Sequence, residues 1–159
     1  MKRFFLTLLL IAILWSCKND TSNKDAIVDN LKTDLKSKVS VLEGNWEMVG
    51  YYNYRDNKIV DSFSTDKSHR QVKMFNKNKV MWSKLMPENE IEWFGYGSYT
   101  ATDSTLTELM QYGSNVMNKI IADQQEFSYK LLITDSTFSQ IRVDDDGEMV
   151  YSENYKRID

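Results

Sequence analysis

Apolar and polar side chains alternate along most of this chain. The alternation begins at Leu42-Glu43-Gly44-Asn45-Trp46-Glu47-Met48, with 42, 46 and 48 apolar and 43, 45 and 47 polar. A period of two marks a strand with one buried and one wet face. The same period returns over Arg70 to Asn76 and Lys79 to Met86, joined by Lys77-Asn78, a two-residue hairpin connection. Here Val72, Met74, Val80 and Trp82 are expected inward, and Lys73, Ser83 and Lys84 on the wet side. Pro87-Glu88-Asn89-Glu90 reads as the turn that follows. Trp93 to Ala101 and Thr105 to Tyr112 then pair through Thr102-Asp103-Ser104. Phe127 to Ile133 turns at Asp135-Ser136 and comes back as Phe138 to Val143, and Asp144-Asp145-Asp146-Gly147 leads into Met149 to Arg157. Between Arg55 and Ser68 the pattern lapses, which predicts one long loop. The fold class is therefore all-β, an eight-stranded antiparallel up-and-down meander. Closing it into a barrel removes the two exposed edges of an open sheet.

Two stretches carry a helical period instead. Ile27, Leu31, Leu35 and Val39 recur every four residues, with Ser22 and Asp25 near the start, and predict a short amphipathic helix before the barrel. Between the fifth and sixth strands, Val116, Met117, Ile120 and Ile121 predict a helix within Gly113 to Glu126. Such a helix either lies across the barrel mouth as a lid or packs its apolar stripe on the outer wall.

The N-terminus reads differently again. Met1-Lys2-Arg3 precedes an apolar run of 12 residues, Phe4 to Trp15. A bilayer-spanning helix needs about 20, so the run is a signal peptide rather than a membrane span. It ends in Leu14-Trp15-Ser16-Cys17, which resembles a bacterial lipobox, with a bulkier residue than usual at Trp15. The resemblance implies cleavage before Cys17 and lipid attachment there, with several acyl chains holding the protein on the membrane of a bacterial cell envelope, the outer membrane in the first instance. A plain secretory signal with an incidental cysteine is the alternative. The expected organisation is a signal peptide over 1–16, a tether and short helix over 17–41, and the barrel over 42–158.

Composition narrows the function classes. The 159 residues are 42% hydrophobic and 13% aromatic, as suits one globular core. Without Lys2 and Arg3, the leader's basic residues, 18 basic groups face 23 acidic ones. No basic stripe interleaved with aromatics appears, so a nucleic-acid partner is not expected. Cys17 is the single cysteine, and no internal disulfide can form.

Gly44-x-Trp46 at the first strand and Arg157 at the last resemble the lipocalin superfamily, as do Gly95-x-Gly97-x-Tyr99, Leu106-Thr107-Glu108 with Tyr112 following, and Glu153-x-Tyr155-x-Arg157. Together they are similar to the lipocalin-like domains of small bacterial secreted and lipid-anchored proteins. The resemblance implies that Trp46 and Arg157 meet across the closed end of a barrel, a structural role, and that a small apolar or amphipathic molecule binds inside. Met48, Tyr52, Met74, Trp82, Tyr99, Met110, Tyr112 and Tyr129 are the inward candidates to line that interior. An eight-stranded barrel is just wide enough to be filled by its own side chains or to hold one small ligand. Both readings stand here: a ligand-binding envelope protein, or a filled barrel acting through its surface on an envelope protein partner.

Little in the chain suggests catalysis. No cysteine nucleophile lies in the barrel, no Ser-His-acid order is evident, and no glycine loop could cradle phosphate. No enzyme activity and no cofactor are expected. His69 is the one histidine, so no multi-histidine metal site is possible, and Asp144 to Asp146 with Gly147 lack EF-hand spacing, so no metal is expected either. Glu108 shares a face with Leu106 and Met110, and a carboxylate in apolar company needs a cation or a proton. Arg70 and Arg142 are its expected partners, and Glu108 is the single acid–base candidate.

Overall fold

The computed structural model describes residues 41–66, 69–86 and 92–159. Cys17, the leader, the helix expected over residues 27 to 39, and the Pro87 to Glu90 turn lie outside the described residues. One sheet contains nine strands: β1 (Gly44–Arg55), β2 (Lys58–Phe63), β3 (Gln71–Asn76), β4 (Lys79–Lys84), β5 (Trp93–Ala101), β6 (Thr105–Gly113), β7 (Glu126–Ile133), β8 (Thr137–Val143) and β9 (Met149–Arg157). The helix α1 (Asn115–Asp123) joins β6 to β7.

All neighbours are antiparallel, and β9 returns to pair with β1. The ring therefore runs β1, β3 to β9 and back to β1. The sheet has one strand more than the sequence pattern predicts. The addition is β2, inside the stretch expected to be a loop. Arg55 pairs with Lys58 across Asp56-Asn57, whose φ values of 49° and 57° are what a two-residue hairpin turn of the right twist requires. β2 runs beside the far half of β1, while β3 takes the near half, so β2 extends the barrel wall without belonging to the ring.

Closure fixes one end. Trp46 pairs directly with Arg157, whose guanidinium carbon lies 4.1 Å from the indole centroid. Arg157 also donates to the carbonyls of Glu43 (2.8 Å), Asp135 (2.8 Å) and Val41, and so ties the approach to β1 to the β7–β8 turn. Gly44 is the residue that lets it in. A Cβ there would sit 2.2 Å from Arg157 Nη1, and its φ of +135° is strained for any side chain. The Trp46 indole N–H donates to the Leu42 carbonyl at 2.8 Å, which satisfies the one polar atom of a fully buried ring.

Above this plug the closed half of the barrel is filled. Trp46 meets Phe138 edge-on at 4.9 Å, Phe138 stacks on Tyr155 at 4.4 Å, and Phe75 meets Tyr99 edge-on at 4.8 Å. Val80, Leu106 and Leu131 pack between the rings. Higher on β5, Met110 and Trp82 occupy the space a Cβ at Gly95 would need, at 2.5 and 2.9 Å.

Candidate functional site

The interior changes character halfway up. On β3 the buried residues are Gln71, Lys73 and Phe75, and on β6 and β8 Glu108 and Gln140 occupy buried positions among apolar neighbours. These polar groups meet in one layer. The Lys73 ammonium donates to Glu108 Oε1 at 2.9 Å and to Gln140 Oε1 at 2.7 Å. Gln140 turns its amide N–H to Glu153 Oε2 at 2.8 Å. The same carboxylate oxygen accepts from the Tyr155 hydroxyl and from Gln71 Nε2 at 3.3 Å, and Gln71 also donates to the Tyr155 oxygen at 2.7 Å. Four strands, β3, β6, β8 and β9, thus contribute to one hydrogen-bonded plate. The Lys73 and Glu108 side chains are 2% and 3% exposed, so their charges neutralise each other out of contact with bulk water.

Beyond the plate lies a cavity of about 210 Å³. Its floor is Lys73, Glu108, Gln140 and Glu153, and its walls are Trp82, Trp93, Phe127, Tyr129 and Tyr151 with Met110 between them. Met117 and Ile120 of α1 close part of the mouth. The helix is placed there by local chemistry: Ser114 caps it, accepting from the Met117 N–H at 3.4 Å, and Asn118 Oδ1 accepts from the Gly113 N–H at 2.8 Å. Met117 and Ile121 are buried against the barrel, whereas Ile120 is partly exposed at the opening.

The tyrosines around the plate are held as phenols. Burial pushes Tyr129 and Tyr155 well above the ordinary value, and the carboxylates of Glu108 and Glu153 push in the same direction. Burial raises Tyr99 to about 12, helped by Glu43. The Tyr99 hydroxyl is the one buried side-chain polar atom without a hydrogen-bond partner among the described residues.

No family model and no curated protein matches the chain. Among solved structures it is similar to a lipocalin-like protein from Bacteroides uniformis, at 14% identity and a TM-score of 0.52, covering 74% of this chain and 99% of that one. The fold is lipocalin-like. An uncharacterized protein from Bacteroides eggerthii is also similar, at 15% identity and a TM-score of 0.47, with the same coverage of 74% and 99%.

Within this lipocalin-like barrel the expected lining residues divide. Trp82, Met110 and Tyr129 face the cavity, while Met48 and Tyr99 belong to the filled core. Three expected inward positions are not inside. Met74 lies on the outer wall beside Met81 and Tyr96, because β3 takes the opposite phase and turns Lys73 inward. Tyr112 is 54% exposed, because the ladder slips between Tyr96 and Gly97 and pairs Tyr112 with the outer Tyr96. Tyr52 pairs with Ser152, one position out of phase with Tyr151 and Glu153, after a bulge between Met48 and Gly50. Tyr51 takes the inner place and stacks on Tyr151 at 5.4 Å. The partner of Glu108 is also corrected: it is Lys73, since Arg70 pairs with Glu47 and Arg142 donates to the Ser128 carbonyl. Sequence reasoning passed over Gln71, Gln140 and Glu153. The signal was present as polar residues in the buried phase of several strands, Phe138-x-Gln140 and Tyr151-x-Glu153-x-Tyr155 among them.

Two expectations follow from the plate. Lys73→Met should cost about 3–5 kcal/mol by stranding the Glu108 charge, and adding Glu108→Leu should recover most of the loss. Urea denaturation of both variants measures this, and a single variant within about 1 kcal/mol of wild type would show that the pair does not bear on stability. The tyrosines give a pH signature. Their protons are held more tightly in the folded state than in the unfolded state, where the value is about 10, so the stability they contribute is complete below that pH and falls as pH rises above it. In an alkaline absorbance titration, fewer than the nine tyrosines should ionise before circular dichroism reports unfolding. Ionisation of all nine near the ordinary value with the fold intact would refute the assignment.

Proposed function

We propose that this chain is a lipid-anchored protein of a bacterial envelope whose barrel takes one small amphipathic molecule into its open half. The observation that carries the binding reading is the cavity: about 210 Å³, ring-walled, with convergent polar groups on its floor. That volume equals about seven water molecules and falls below the roughly 300–1,000 Å³ of drug-sized pockets. It suits a single ring with a short chain. The lipocalin-like fold supports the reading as an architecture that holds small molecules. The anchoring rests on Leu14-Trp15-Ser16-Cys17 alone.

A second reading has its own observation. Ile59 and Val60 are each 55% exposed and Phe63 is 45% exposed, all on β2 outside the ring. An apolar strand presented in this way favours contact with another envelope protein, with the cavity then incidental.

Trp82 and Trp93 border the cavity while Trp46 is sealed at the far end, so ligand entry should change tryptophan emission saturably. The change should be lost in the Trp82→Phe/Trp93→Phe variant, and silence towards ring-bearing, aliphatic and amphipathic compounds alike would favour the surface reading. Separately, cells expressing the whole chain should incorporate labelled palmitate into the wild type and not into Cys17→Ser. Equal labelling of the two would remove the anchor.

A further inference from the structure

We propose that the polar end of the guest is a compact cation, most simply a protonated primary amine, and that Glu153 receives it. The inference rests on the cavity-binding reading above and adds the charge of the ligand.

Lys73 is the floor's only cation among the described residues, and it is not on offer. It is nearly sealed, it is paired with Glu108, and it spends a second N–H on Gln140. Glu153 is situated differently. Its Oε2 accepts three hydrogen bonds, all from neutral groups, the amides of Gln71 and Gln140 and the Tyr155 hydroxyl. No Lys, Arg or His nitrogen among the described residues makes a salt bridge with it, and its Oε1 accepts no hydrogen bond from them. It lines the cavity and is only half-buried. A carboxylate held partly away from water, fixed in place by neutral donors and lacking a counter-ion, makes the accessible floor an acceptor for positive charge.

The walls agree with the floor. Trp82, Trp93, Phe127 and Tyr151 surround the space above Glu153, and aromatic rings attract cations while repelling anions lodged against them. The remaining charge on the cavity is Lys84, near the end of β4 at the mouth. Its long stem lets the ammonium reach solvent. A carboxylate guest would have to turn its head outward to Lys84 and lay its apolar body on the polar plate, which reverses the match on both surfaces.

The test uses three ring-matched compounds at neutral pH, phenethylamine, phenethyl alcohol and hydrocinnamate, titrated by calorimetry into the protein. The amine should bind at least about tenfold more tightly than either of the others, as one charge-assisted hydrogen bond in a half-buried site implies. Glu153→Gln should bring the amine down to the level of the alcohol. Lys84→Gln should tighten the amine by removing a like charge from the mouth, and a barrel that was merely loosened would lose affinity in both variants. Preference for hydrocinnamate, or equal affinity for all three, overturns the cationic assignment and leaves the binding reading standing. No binding of any of the three, together with no tryptophan response to the wider set, overturns both.

Discussion

An ammonium placed in the middle of a β-barrel has no water to turn to, and that constraint organises this molecule. Lys73 must be met by acceptors on other strands, and Glu108 from β6 and Gln140 from β8 do so. Each of those groups has unused hydrogen-bonding capacity, and Gln140 passes its demand on to Glu153 of β9. Satisfying one charge therefore aligns four strands at one height. Such a plate separates two kinds of interior. Below it, rings and aliphatic chains pack against one another: Trp46 on Phe138, Phe138 on Tyr155 and Phe75 on Tyr99. Above it, the residues are as aromatic as those below, yet they do not fill the space, because their partners across the barrel are polar groups already committed to one another.

The separation also accounts for the distribution of glycine and aromatic residues. At the sealed end a glycine admits a guanidinium onto an indole, and the arginine gathers three carbonyls from two segments. Higher on β5, the absence of a side chain at Gly95 gives Trp82 and Met110 their positions at the cavity edge. In one place the glycine fastens the barrel shut; in the other it sets how wide the open half is.

Much of the barrel was legible in the residues. The alternation over Phe127 to Ile133 and Met149 to Arg157, and the turns at Asp135-Ser136 and Asp144 to Gly147, correspond to β7, β8 and β9 as the structure has them. What was not legible has three physical origins. β2 has no buried face, so burial could not print a period on it, and only the Asp56-Asn57 turn marked it. On β3 the rule that lysine faces water failed because acceptors from strands 35 and 67 positions away reward its burial, and local pattern carries no knowledge of them. Tyr52 and Tyr112 were misassigned because a bulge flips every later side chain on its strand, and a bulge leaves only a faint trace in composition. The polar floor, assembled from distant strands, was the least legible part of all.

The start of β1 and the end of β9, the two strands that close the ring, lie at one pole. Val41 and Glu43 are bonded by Arg157, and Asp159 accepts from the Asn45 backbone at 2.9 Å. The entrance beside α1 is at the opposite pole, where β6 ends and β7 begins. Whatever is joined to this domain, before its first strand or after its last, is attached at the stoppered base of the cup. The opening therefore lies at the pole away from the one where the chain enters β1 and leaves β9.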